Sequence, residues 1–354
     1  MWEIGEVEKS KSGKVEESKS GEARKASQVG AIRSIGLIIP IIPIHPIYLM
    51  TKSLAGVLPI VHTPFLADDS IDPASLRREI DWALAVGAEG LCTGMVSELL
   101  RLTFRERLEL TASIAEITAG RGVVIAGVGA ESTKQALEYA RAARAAGCDA
   151  MMAIPPISTA LPGDQLLEYF ATLAESVELP LIVQDASGYV GRPIPLEVCL
   201  QLLDRFGSDK IMFKPEANPT GPRLSALREA SGGRARIFDG SGGIALVDCY
   251  RRGIVGTMPG MEFLPGVVAL WNALQRGDEG AIYRLYFPIC ALVSLQLQAG
   301  LDGFLAVEKY VLAKRGLFDT DARRKPCAWS LDEETRTELE RLLQRLDAAL
   351  ADVA

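Results

Sequence analysis

The chain has 354 residues, 48% of them apolar, and a formal net charge of -7. That is length and apolar content enough for one large α/β domain with a sizeable core, and an acidic chain without a basic stripe argues against nucleic-acid binding. Two histidines, His45 and His62, and six scattered cysteines with no CxxC pair argue against a zinc site, a disulfide framework, a Ser-His-Asp triad or a Cys-His pair. The chemistry must then come from lysine, carboxylates, hydroxyls or amides, and neither a cofactor nor a metal is expected.

The first stretch, with "EVEKSKSGKVEESKSGEARKAS", mixes charges with serine and glycine and has no apolar periodicity, so it reads as disordered. "IGLIIPIIPIHPIYLM" follows, and Pro40, Pro43 and Pro46 break it too often for a membrane span. Met50 opens "MTKSLAGVLPIVHTPF", a plausible natural start, and residues 1–49 read as a mis-called or disordered extension. Mass spectrometry of the native N-terminus tests this expectation.

From residue 54 the pattern turns regular. Strands are expected at 56–61, 90–94, 123–129, 150–154, 179–184, 210–214, 235–240 and 253–258, with a helical stretch between each pair. The strands are short, apolar on both faces and not alternating, as in buried parallel sheets. Asp72 followed by Pro73 marks one helix start, Thr103 with Glu106 and Ser132 with Gln135 read as capping boxes, and Ser330 with Glu333 as the start of the last helix. Eight βα units at this spacing predict an α/β fold, a (β/α)8 TIM barrel over 50–260. A doubly wound sheet is the second choice. Beyond it, helices at 264–276, 278–299, 303–315 and 331–350 predict a C-terminal helical bundle over 261–354, packed against the barrel.

In such a barrel the active site lies at the C-terminal ends of the strands. "DKIMFKPEA" then becomes informative. Lys214 ends the sixth strand at the barrel mouth, whereas Lys210 lies at the opposite, stability face. Partial burial favours a neutral amine, which can attack a carbonyl; the plainer reading pairs Lys214 with a carboxylate such as Glu216. Gln184 and Asp185 are neighbours on one strand, so they face opposite ways and only one can enter the mouth.

At this point the residues resemble a family. "GVLPIVHTPF", "GMVSELLRLTFRERLEL", "VIAGVGAESTKQALEYARAARAAGCDAMMAIPP", "LPLIVQDASGYVG", "FKPEA" and "FDGSGGIALVDCYRRGIVGTMPG" stand in the order and register of the dihydrodipicolinate synthase/N-acetylneuraminate lyase family of class I aldolases and dehydratases. The resemblance covers 54–350 and implies a Schiff base between Lys214 and the keto carbon of a 2-oxo acid. It also implies a cytoplasmic homodimer or homotetramer, with no nucleic-acid or membrane partner.

The departures are specific. Where most members carry Gly-Thr-Thr-Gly-Glu, this chain reads Gly94-Met95-Val96-Ser97-Glu98, which removes both hydroxyls and keeps the glutamate. Gln184 stands where the family has its acid/base tyrosine, and Tyr189 where condensing members often have an arginine. "SELLRLT", "VQDASGYVG", "FKPEA" and "DGSGG" look closer to the subgroup around 2-keto-3-deoxyarabonate dehydratase, which implies a dehydratase or aldolase acting on a 2-keto-3-deoxy sugar acid. Glu98 is then the expected proton-transfer partner of Lys214, or caps backbone amides. Ser97, Gln184, Tyr189, Ser241 and Gly242 are the expected substrate-binding residues. Glu216 could orient Lys214 or serve as a second acid/base. His62 reads as packing or a hydrogen bond. A pyruvate-dependent condensing synthase and a degenerate barrel that binds a 2-oxo acid without turnover remain the alternatives.

Overall fold

The computed structural model describes residues 53–353, so the expected 1–49 extension and the start at Met50 lie outside the described residues. Eight parallel strands and eight outer helices alternate: β1 Gly56–Val57, α1 Pro73–Val86, β2 Gly90–Cys92, α2 Phe104–Thr118, β3 Val123–Gly127, α3 Thr133–Ala145, β4 Ala150–Ala153, α4 Gly163–Ser176, β5 Leu181–Asp185, α5 Leu196–Phe206, β6 Ile211–Pro215, α6 Thr220–Ala230, β7 Phe238–Asp239, α7 Leu246–Arg251, β8 Gly256–Thr257 and α8 Leu264–Arg276. β2 to β6 pair in sequence, and β1-β8-β7 form a second run. Bridges between Ile60 and Cys92 and between Phe213 and Ile237 join the two runs into a closed barrel. The ladder of β1 is shorter than expected because Pro59 brings no N–H to it; pairing resumes where the Ile60 amide donates to Pro259 O at 2.7 Å.

Two apolar layers follow from the pleat. Leu58, Ile60, Cys92, Ile125, Met152, Ile182, Met212, Phe238 and Met258 fill the barrel interior. Leu91, Val124, Met151, Leu181, Val183, Ile211 and Phe213 face outward onto the helices. With a side-chain period of two, Met212 inside places Lys214 inside, and Ile182 inside places Gln184 inside. The strand pairing sets Gln184 directly beside Lys214.

One boundary moves. The stretch 264–276, expected in the C-terminal bundle, is the eighth barrel helix: α8 packs on α1 and β1. Its seam of Leu264, Val267, Leu270 and Trp271 is buried, because the chain leaving β8 must cover the last open segment of the ring. The bundle proper is α9 Glu279–Gln296, α10 Gly300–Lys314 and α11 Glu333–Val353. Glu279–Lys314 is apolar and long enough, by length and composition alone, to cross a membrane. Half of that apolar window is buried, with Leu285, Ile289, Leu292 and Val293 in the core, as befits core helices.

The caps explain most helix starts. Asp72 Oδ1 accepts from the Ala74 amide at 2.9 Å, with Pro73 at the first turn. Thr103 and Glu106 close a reciprocal box. Ser132 caps α3, but Gln135 turns its amide to Tyr139 instead of back to Ser132. The last helix is capped by Asp332, whose Oδ1 accepts from the Thr335 amide at 2.7 Å, and not by Ser330, whose hydroxyl accepts from Arg323.

Candidate active site

At the C-terminal ends of the strands, under α10, lies a cavity that is open to solvent at its mouth. Gln184, Tyr189, Lys214, Glu216, Gly240 and Gly242 line it from the barrel. Glu262 lines it from the loop after β8, and Leu301, Phe304 and Glu308 from α10.

Lys214 is 3% exposed, and its Nζ lies 3.2 Å from Glu216 Oε1. The other oxygen, Glu216 Oε2, accepts from Gln184 Nε2 at 2.5 Å. Burial pushes the Glu216 carboxyl above its ordinary pKa, against the pull of the Lys214 charge and the Gln184 hydrogen bond. Gly240 makes the arrangement possible. A Cβ there would sit 2.4 Å from Lys214 Cε and 2.5 Å from Glu216 Oε1, distances no real side chain tolerates. Tyr189 packs edge-on against Phe304, ring centroids 5.7 Å apart. Burial, together with the charges of Glu216, Asp239 and Glu308, raises its pKa, so its phenol stays protonated and can donate.

Several expected residues are placed elsewhere. Glu98 does not line this cavity. Its Oε1 pairs with Lys309 Nζ at 3.0 Å and its Oε2 accepts from the Arg324 amide at 2.9 Å. It sits at φ 58, the left-handed region, and turns its carboxylate toward the C-terminal helices. Ser97 is fully buried, donating to Val61 O and accepting from the Gly94 amide at 3.1 Å. It ties the loop after β2 to the segment that follows β1 and offers substrate nothing. Ser241 Oγ accepts from the Ala245 amide at 3.0 Å, and the residue lines a neighbouring surface hollow instead. Gln184, Tyr189, Lys214 and Gly242 are on the wall as expected. Asp185 faces away, as strand parity requires, accepting from the Ile194 amide at 2.9 Å.

The sequence reading missed the far wall. Glu262 Oε1 accepts from Gln296 Nε2 at 2.8 Å, and burial and the charge of Glu308 push its carboxyl up to about 7. Glu308 Oε2 lies 2.9 Å from His62 Nε2, and His62 Nδ1 lies 3.1 Å from Glu79 Oε1. Burial alone would lower the His62 pKa, but Glu308 and Glu79 together push it up to about 10, so the imidazole is a cation locked between two carboxylates. A signal for Glu308 did exist. In "GFLAVEKYVLAK" it falls four residues after Phe304 and three before Val311, on the face that the apolar spacing marks as buried.

Residues 53–346 match the sequence profile of the dihydrodipicolinate synthetase family. An L-2-keto-3-deoxyarabonate dehydratase from Azospirillum brasilense is 28% identical over 297 residues, covering 82% of this chain and 94% of the relative. A 4-hydroxy-tetrahydrodipicolinate synthase from Acidobacterium capsulatum is 30% identical over 290 residues, covering 80% of this chain and 93% of the relative. Among solved structures, the dihydrodipicolinate synthase from Rhodopseudomonas palustris superimposes with a TM-score of 0.75 at 30% identity, covering 84% of this chain and 99% of that one.

Proposed function

The chain belongs to the dihydrodipicolinate synthetase family, and we propose that within it the protein is a Schiff-base lyase acting on a 2-keto-3-deoxy sugar acid. The observation that carries this reading is the triad of Lys214, Glu216 and Gln184 on the wall of one cavity at the barrel mouth. Glu216 takes a proton from the Lys214 ammonium 3.2 Å away. The neutral amine attacks the C2 carbonyl, and the oxygen leaves as water with one proton from the attacking nitrogen and one returned by Glu216, which gives an iminium and an ionised Glu216. The iminium draws electrons from C3, whose proton becomes acidic. Glu216 removes that proton, the pair forms an enamine, and the C4 hydroxyl leaves with a proton from the now neutral Glu216 carboxyl. Water then releases the product from Lys214. A buried carboxyl with a raised pKa suits both roles, base and then acid.

Glu216 thus takes the part first assigned to Glu98. Gln184 holds Glu216 in place, and Tyr189 donates to substrate oxygen. The synthase reading is less favoured, since an amide, Gln184, occupies the family's tyrosine position and Tyr189 the position where condensing members often carry an arginine. The name of the Azospirillum brasilense relative supports dehydration of a sugar acid. A cytoplasmic homodimer or homotetramer with no nucleic-acid or membrane partner completes the proposal; the six thiols are free, as a reducing compartment allows. The test is turnover of a panel of 2-keto-3-deoxy sugar acids against pyruvate plus aspartate semialdehyde. Water loss from the sugar acid supports the reading; turnover of only the second pair, or of neither, sinks it.

A further inference from the structure

The cavity has two polar ends. Lys214, Glu216 and Gln184 form one, and Glu262 and Glu308 the other. Glu262 and Glu308 are 2% and 1% exposed. Glu262 Oε2 has no hydrogen-bond partner among the described residues. Its position is defined by Gly260, which also lines the cavity: a Cβ there would come within 2.2 Å of Glu262 Oε2 and 2.7 Å of Glu308 Oε1. Two carboxylate oxygens from different elements therefore converge on one small volume, left open by a glycine. A buried acceptor lacking a donor is unfavourable and rare, and a ligand hydroxyl would supply the donor.

We propose that Glu262 and Glu308 form a distal subsite that accepts hydrogen bonds from hydroxyls at the end of the substrate remote from its 2-oxo group. The proposal rests on Lys214 forming the Schiff base and adds which residues select the far end of that sugar acid, favouring hydroxyls over a second carboxylate. A second carboxylate would meet the charge of Glu308, and that of Glu262 once the pH exceeds about 7, in a wall of low dielectric. The rival occupant is a divalent cation, since donor atoms of His62, Glu262 and Glu308 lie within 4.8 Å of one another. The His62 ring lies 3.1 Å from Glu79 and 2.9 Å from Glu308 as an imidazolium, which has no lone pair to give a cation, and this favours the hydroxyl reading.

The test is borohydride trapping of wild-type protein with pyruvate, 2-oxopentanoate, a 2-keto-3-deoxypentonic acid and 2-oxoglutarate. The hydroxylated acid should trap at roughly tenfold lower concentration than 2-oxopentanoate, the size expected for hydrogen bonds to charged acceptors, and 2-oxoglutarate should trap worst. In Glu262→Leu the gap between the first two should shrink to about twofold, and 2-oxoglutarate should improve relative to pyruvate. Equal trapping of 2-oxopentanoate and its hydroxylated counterpart by wild type would overturn the subsite without recourse to any variant. So would loss of the preference on EDTA treatment and its return with magnesium or zinc, which would assign the carboxylates to a cation. Failure to trap even pyruvate would instead remove the Schiff base on which the proposal rests.

Discussion

Two lysines among the described residues are buried, and each faces a glutamate. Lys214 on β6 lies 3.2 Å from Glu216, and Lys309 on α10 lies 3.0 Å from Glu98. By burial and charge pairing they are near twins. They differ in what else they touch. The Lys309 amine also donates to Thr63 O and Ala322 O, so its three N–H bonds are all used, and it sits over the rings of Phe65 and Phe318. Burial lowers its pKa while Glu98 works against that, yet no cavity reaches it among the pockets described. Lys214 has a single carboxylate partner among the described residues and opens on a cavity. The lesson is that a buried lysine–carboxylate pair does not by itself mark a catalytic site. Unused hydrogen-bonding capacity facing empty space does.

The contrast can be broken most severely by deleting each amine. Lys214→Ala should lower turnover by about a thousandfold or more, since no other amine lines the cavity, and should cost less stability than loss of Lys309, because the cavity lets water reach Glu216. Lys309→Met should do the reverse. It leaves buried Glu98 with only the more distant Arg101 guanidinium, 3.8 Å away, as a charge partner and should cost roughly 3 kcal/mol in urea unfolding, with Lys214 still reactive in the folded fraction. Equal stability losses for the two variants would erase the distinction.

Glu216→Gln sharpens it next. Turnover should fall by about a hundredfold to ten-thousandfold, while the adduct with pyruvate still forms, more slowly. In wild type, activity should fall with decreasing pH through a limb above the ordinary carboxylate range, because Glu216 must be ionised to act as base and its pKa is raised. A limb that survives in Glu216→Gln would assign that titration to another group. Gly240→Ala should cost turnover by about tenfold or more, because the new methyl pushes both Lys214 and Glu216 off their positions.

The last contrast concerns the far wall. The folded pKa of His62 is raised from 6.5 to about 10. The protonated form is the one that the fold favours, so the stability that it contributes is fully present below about 6.5 and is lost as pH rises toward about 10. Urea midpoints across that window should decline, and the decline should flatten in His62→Gln. An unchanged slope would show that His62 does not carry the effect.

The barrel was readable in the sequence because eight apolar runs punctuated by caps leave few other ways to bury both faces of every strand. Lys214 and Gln184 were readable because strand parity and the rule that the barrel mouth carries the chemistry both follow from local pattern. Glu98 was misplaced for a physical reason. A position in the chain fixes where a backbone lies, but the left-handed turn at Glu98 and the charge of Lys309, more than two hundred residues on, decide where its carboxylate points. Ser97 and Ser241 were misread in the same way, as hydroxyls near a strand end that the backbone claims for itself. Glu262 and Glu308 were missed because the wall that they form is closed by a helix from outside the barrel repeat, and no local rule says which face of α10 covers the mouth.

The most direct test is to reduce the protein with borohydride in the presence of pyruvate and map the modified peptide by mass spectrometry, in wild type, Lys214→Ala and Lys309→Met. One adduct, on the peptide carrying Lys214, present in wild type and Lys309→Met and absent in Lys214→Ala, is the predicted result. No adduct in wild type, or one that persists when Lys214 is gone, would contradict the assignment of Lys214 as the Schiff-base lysine.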